Sequence, residues 1–242
     1  MTGPPDRVRT RLGELTEQYE LPPAAPGRLG VLLERLAADD RAPTTVRAQR
    51  EAVDTHVADS LSGLMAPELR AADRIADLGA GAGLPSLVLA AALPDAEVFA
   101  IESVHKKADF IVRTAQAMGL TNVEVIPLRV EEWAAGEGTI DVVTARALAP
   151  LPVLVEYAAP LLREGGHLVA WKGPADREEE TAGTQAAELV GLAPVRVDRV
   201  QAFRGADRHH LHLYSKVAST PNRYPRRPGM ARKRPLAGSG RG

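Results

Sequence analysis

The chain contains no cysteine in 242 residues. Disulfide staples, thiolate metal sites and thiol nucleophiles are therefore excluded, and a hydrophobic core must hold the fold. Aromatic residues are scarce at 4%, too few for an aromatic-rich lid over a small-molecule pocket. No apolar run approaches the roughly 20 residues needed to cross a bilayer. Residues 1–11 lack the apolar centre of a secretion signal, so a cytoplasmic location without membrane attachment is expected. Net charge is almost absent at −1, but its distribution is uneven. Residues 217–242 hold seven basic side chains (Arg223, Arg226, Arg227, Arg232, Lys233, Arg234, Arg241) and no acidic one, which leaves about −8 on the rest. A basic end on an acidic body suits a polyanionic partner or is a solvated terminus. Residues 219–242, rich in proline, glycine and arginine, are expected to be disordered.

What is present is ordinary for a globular protein, with 45% hydrophobic and 25% charged residues. Val8, Leu12, Leu15 and Tyr19 recur at helical spacing. So do Leu29, Leu32, Leu33 and Leu36, then Val53, Val57, Leu61 and Leu64. Residues 1–70 therefore read as a helical cap. From Arg74 short apolar runs alternate with helices. Strands are predicted at 75–78, 98–102, 123–127, 141–145 and 167–171, with helices at 84–93, 105–118, 131–135 and 151–162. Repeated β-then-α units predict an α/β fold with a doubly wound, mostly parallel sheet over 71–218. Segments 195–203 and 209–217, joined by a turn at 205–207, predict an antiparallel hairpin at one sheet edge.

The most informative segment is Asp77-Leu78-Gly79-Ala80-Gly81-Ala82-Gly83-Leu84-Pro85. A strand ends at a carboxylate, and a glycine loop opens a helix, which allows sharp turns and close approach to a ligand. A glycine fingerprint alone also fits a dinucleotide. The spacing Gly-x-Gly-x-Gly and the carboxylate of Asp77 favour a cationic ligand, S-adenosylmethionine, over a pyrophosphate. Glu102, 23 residues after Gly79, ends the next strand where a carboxylate accepts ribose hydroxyls. Val130 and Glu131 follow the third strand; they either meet an adenine or form an acidic first helical turn.

Together with these residues, several others make the chain resemble the bacterial small-subunit ribosomal RNA guanine-N7 methyltransferase family (RsmG, also GidB). They are His56-Val57-Ala58-Asp59-Ser60, Glu102-Ser103 with Lys106-Lys107, Arg129 to Glu132, and Thr144-Ala145-Arg146-Ala147. Trp171-Lys172-Gly173, Arg208-His209-His210-Leu211 and Tyr224-Pro225-Arg226-Arg227-Pro228-Gly229 complete the set. The resemblance runs from about Thr44 to Leu236. Departures are Ala42-Pro43-Thr44, where the family has Asn-Leu-Thr, and Thr55, where an arginine usually precedes the histidine.

The resemblance implies a Rossmann-like class I methyltransferase that uses S-adenosylmethionine to methylate guanine N7 in 16S ribosomal RNA, free or within the small subunit. It implies donor contacts at Gly79, Leu84, Val130, Glu131 and Arg146, beside Asp77, Gly81, Gly83 and Glu102 from the loop argument. Arg146 and Lys172 are the catalytic candidates, with Arg146 expected to carry little packing. No general base is required, because N7 presents an unprotonated lone pair. The Asp/Asn-Pro-Pro-aromatic motif of amino methyltransferases is also missing. No metal site is expected: His210 and His212 share a strand face with Tyr214 and Lys216 that reads as RNA-facing or solvated. The competing readings are a small-molecule methyltransferase and a non-catalytic ribosome assembly factor that kept the fold.

Overall fold

The computed structural model describes residues 5–40, 42–206 and 208–236. Two amphipathic helices come first, α1 (Asp6–Tyr19) and α2 (Ala25–Ala38), each burying its predicted stripe. Asp6 in the first turn of α1 and Pro26 in that of α2 are placed where the helix leaves N–H groups unpaired. A continuous helical run, α3, follows: Gln49–Ala52, a π-helical segment Val53–Ala58, Asp59–Leu61 and a 3-10 turn Ser62–Met65. A short α4 (Pro67–Arg70) leads into the sheet.

The strands are β1 (Arg74–Leu78), β2 (Glu97–Ile101), β3 (Val123–Ile126), β4 (Ile140–Arg146), β5 (Leu162–Lys172), β6 (Leu192–Val200) and β7 (His209–Lys216). Their order is β3-β2-β1-β4-β5-β7-β6. The first five run parallel, and β7 lies antiparallel between β5 and β6. The helices between them are α5 (Ser86–Ala92), α6 (His105–Ala117), α7 (Leu151–Ala158) and α8 (Arg177–Val190), with a short α9 (Met230–Lys233) near the end. The α/β, doubly wound class is as expected.

Strand alternation sorts side chains into two cores. Ile75, Val98 and Ala100 face the N-terminal helices, α5 and α6, while Ala76, Phe99 and Ile101 face α7 and α8. The helical cap therefore shares a continuous core with one sheet face. Asp59 and Ser62 on α3 accept from Trp171 Nε1 on β5 at 2.9 and 3.2 Å, and Gly63 passes so close under the indole that no Cβ fits.

Several boundaries differ from expectation. Helix α7 ends at Ala158, short of the predicted 162, because Pro160 cannot extend it. Residues 131–135 form two 3-10 turns, Val130–Glu132 and Ala134–Gly136, not an α-helix. Helix α8 was not anticipated, although Asp176 caps it by accepting from the N–H groups of Glu178 and Glu179 and Gly191 closes it at φ 80°. It covers the strand face that read as solvated: His212, Tyr214 and Lys216 are buried. Of the predicted 205–207 turn, Asp207 lies outside the described residues.

The expectation of a disordered tail fails for residues 219–236. Ala231 and Leu236 join the second core, and Arg226 pairs with the fully buried Glu156. Residues 237–242, including Arg241, lie outside the described residues.

Candidate active site

A cleft of about 560 Å³ opens at the carboxyl ends of β1, β2 and β4, the place where open parallel sheets bind ligands. The glycine loop forms its floor. Gly79 adopts φ +68°, a left-handed conformation in which a Cβ would also sit 2.5 Å from Leu148 Cδ1. Gly81 and Leu84 line the same wall. Glu102 follows β2 directly, at the loop's rim. Its two oxygens accept from the backbone N–H groups of Gly81 (3.0 Å) and Val104 (2.8 Å). Each oxygen retains a lone pair for a hydroxyl ligand.

Asp77 does not line the cleft. It is 1% exposed beneath the loop and accepts from the Ser86 N–H and the Thr144 hydroxyl, each at 3.1 Å. Burial pushes its carboxyl up to about 6, against hydrogen bonds from Ser86 and Thr144 and the nearby Arg146 charge. A carboxyl raised in this way contributes most to stability when protonated, below its ordinary range, and that contribution is lost as pH rises through about 6. Asp77 thus ties the loop to β4, and direct contact with a ligand's cation is not what its position provides. Gly83 likewise sits behind the loop against Leu87.

Across the cleft, Arg146 ends β4, and Ala147 after it takes φ 53°. Arg146 Nη1 donates to Asp59 Oδ2 at 2.7 Å and to the Thr55 carbonyl at 3.1 Å. Asp59 Oδ1 meets His209 Nδ1 at 2.8 Å, so α3, β4 and β7 converge on one carboxylate. The π-helical turn places Thr55 and Asp59 together on that side, an irregularity often found at functional sites. Among the described residues, Arg146 Nε and Nη2 carry no hydrogen bond; the guanidinium lines the cleft with donors to spare. The expectation that Arg146 carries little packing is corrected: its side chain is 15% exposed and Asp59's 10%. His56 is held at Nε2 by Thr44 Oγ1 (2.9 Å) and the Val46 carbonyl (3.1 Å). Burial and the Arg146 charge depress its pKa, which favours the neutral ring.

Lys172 is not brought into the cleft. Its ammonium pairs with Glu179 at 2.5 Å and reaches the Ala149 carbonyl at 3.4 Å. Val130 and Glu131 do line it, with Lys107, Tyr157 and Arg232 added. Among the described residues no group of three or more His, Asp or Glu could hold a metal ion.

A family model described as rRNA small subunit methyltransferase G matches residues 37–211. The chain belongs to that family. It is 41% identical over 232 residues to ribosomal RNA small subunit methyltransferase G of Rubrobacter xylanophilus, covering 93% of this chain and 84% of that protein. The protein of that name from Deinococcus radiodurans is 40% identical over 196 residues, covering 80% and 78%. Among solved structures, the Methanococcus jannaschii fibrillarin pre-rRNA processing protein superposes with a TM-score of 0.51 at 18% identity, covering 62% of this chain and 70% of that one. An Aquifex aeolicus tRNA methyltransferase gives 0.50 at 18%, covering 66% and 69%. At that identity the likeness is one of fold, the class I methyltransferase sheet.

The family motifs found in the sequence thus fall into two groups. Gly79, Gly81, Leu84, Glu102, Val130, Glu131 and Arg146 surround the cleft, whereas Asp77, Gly83 and Lys172 stand behind it. Asp59, which the resemblance places on the site wall without a catalytic role, becomes with His209 the support of Arg146. Tyr157 and Arg232 carried no signal at the cleft: one lies mid-helix, the other in an arginine-rich terminus.

Proposed function

We propose that the chain methylates N7 of a guanine in 16S ribosomal RNA, with S-adenosylmethionine as the donor and a small ribosomal subunit or its RNA as the substrate, in the cytoplasm. The observation that carries this reading is the Arg146 guanidinium, held by Asp59 at the mouth of a glycine-loop cleft. Gly79, Gly81, Leu84, Glu102, Val130 and Glu131 would hold the donor. Open backbone at Gly81 and the carboxylates of Glu102 and Glu131 suit a ligand with hydroxyls, an amino-substituted ring and positive charge. When bound, the donor supplies an electrophilic methyl group on sulfur.

The protein's part is positional. Guanine N7 is unprotonated at neutral pH, so no side chain must remove a proton. Among the described residues the only histidine lining the cleft is His56, where burial and the Arg146 charge lower the pKa and favour the neutral ring. Arginine commonly grips guanine through O6 and N7 together. Here N7 must stay free, so the open Nε and Nη2 of Arg146 hold O6 or a neighbouring phosphate and align the ring in a partly dried cleft. Incubation with methyl-labelled S-adenosylmethionine and either 16S ribosomal RNA or small subunits tests this reading. Label is expected at one guanine N7, and the pH profile should show no base-limited limb near neutrality. Label on another position, or on small molecules only, would reject it.

The exposed side chains of Arg223, Arg227, Lys233 and Arg234 form the basic surface of the C-terminal segment. Replacing all four with glutamine should weaken RNA binding and flatten its salt dependence, by about 0.7 to 0.9 in logarithmic slope for each phosphate no longer neutralised. Filter binding across a salt series reads this. An unchanged slope would place the RNA elsewhere. Deleting the segment is the wrong test, because it strips buried Glu156 of its partner.

A further inference from the structure

The C-terminal segment and Glu131 meet at the mouth of the cleft. The Gly229 N–H donates to Glu131 Oε1 at 2.8 Å, and Arg232 Nη2 donates to the Leu148 carbonyl at 3.1 Å. Arg232, Leu148, Glu131 and Tyr157 all line the cleft. Tyr157 interacts with the Glu131 carboxylate and the Arg232 guanidinium together. What seats the segment is a separate lock. Arg226 donates through Nε and Nη2 to the two oxygens of Glu156 at 2.8 and 2.5 Å, and its backbone N–H adds a third bond at 3.2 Å. Glu156 is fully buried in α7, so its charge is compensated only while the segment is docked. Arg226 Nη2 also donates to the Arg234 carbonyl at 2.8 Å, closing a loop around Gly229 and Arg232.

A terminus that served only to attract RNA would need none of this: neither a buried lock nor a backbone donor aimed at a cleft carboxylate. We infer that the segment around Gly229 and Arg232 is a wall of the donor site, in which the Gly229 N–H orients Glu131 and Arg232 packs on the adenine end of S-adenosylmethionine. The inference rests on the reading that the cleft takes that donor. Adenine presents a flat π face and an exocyclic amino group. A guanidinium packs on such a face, and a carboxylate accepts from the amino group. Linkage then requires the converse: if the docked segment strengthens donor binding, the donor must hold the segment closed.

Calorimetry with S-adenosylhomocysteine, and with adenosine alone, tests the inference on wild type, Arg232→Gln, Arg227→Gln and Gly79→Arg. Arg227 is an exposed arginine of the same segment that does not line the cleft. Arg232→Gln should weaken both ligands about tenfold, with the KM for RNA held within about twofold at saturating donor. Arg227→Gln should bind both as wild type does. Hydrogen exchange at the Gly229 amide should slow when S-adenosylhomocysteine saturates the wild type. Three results overturn the inference while Gly79→Arg still blocks binding: wild-type affinity in Arg232→Gln, a rise in the RNA KM alone, or exchange at Gly229 that ignores the ligand. In those cases the segment is a structural strap and the donor-site reading stands. Ligand binding that survives Gly79→Arg removes both.

Discussion

Arg146→Ala is expected to lower methyl transfer by about a hundredfold or more, the scale of removing one positioning electrostatic interaction. It should also destabilise the fold, which a bare strand-end arginine would not. The alanine leaves Asp59 buried with His209 as its remaining side-chain partner. Breaking a buried pair from one side costs about 3–5 kcal/mol, and the low end applies where a second partner remains. The two effects separate in the double variant Arg146→Ala with Asp59→Asn. Asparagine keeps an acceptor for His209 and removes the orphaned charge, so much of the thermal midpoint should return. Activity should not return, because the guanidinium that faces the cleft is still missing. Arg146→Lys should recover only part of the rate, since a point charge lacks the planar fork that serves Asp59 and the cleft at once. Rates are compared below every variant's unfolding transition. Full turnover in Arg146→Ala, or activity that returns with stability in the double variant, would reduce Arg146 to a tether between β4 and α3.

The dual role of Arg146 marks a boundary between what a sequence carries and what only packing supplies. Strands and helices were legible because a parallel strand buried on both faces reads as a short apolar run and a helix buries one stripe: Ile75 and Ala76 go to opposite cores. The glycine loop was legible because its conformation depends on local residues, and Gly79 does turn with positive φ. Pairing across long separations was not. Asp59 and His209 are 150 residues apart, and nothing local to either marks the other as a partner. Lys172 shows the reverse error. The family resemblance implied a residue at the reacting face, but Glu179 on the unanticipated α8 draws the ammonium away. Without that helix His212 and Tyr214 read as surface residues, whereas the fold buries them. The arginine-rich end misled for a related reason. Composition reports average solvation, and it does not show that Arg226 meets a buried carboxylate while Ala231 and Leu236 enter the core.

Gly79→Arg should abolish measurable donor binding, with affinity falling by at least about a hundredfold, roughly 3 kcal/mol. At Gly79 the loop turns backbone alone toward the cleft, and even a Cβ would press on Leu148. A longer side chain has only the cleft to enter, where it takes the donor's volume and brings positive charge toward a cationic group. The substitution also carries a backbone cost, because φ +68° is a left-handed conformation that L-residues adopt at about 1–2 kcal/mol. Gly119→Arg provides the reference. Gly119 has nearly the same φ, +65°, nothing within 4 Å of an added Cβ, and a place outside the cleft. Both variants should lose similar thermal stability from the backbone strain, with a further loss at Gly79 from the clash with Leu148. Only Gly79→Arg should lose calorimetric binding of S-adenosylhomocysteine, measured at a temperature where both remain folded. If Gly119→Arg lost binding equally, the effect would be one of general destabilisation. If Gly79→Arg bound as wild type does, the glycine loop would not be where the donor sits, and the cleft beneath Arg146 would need another ligand.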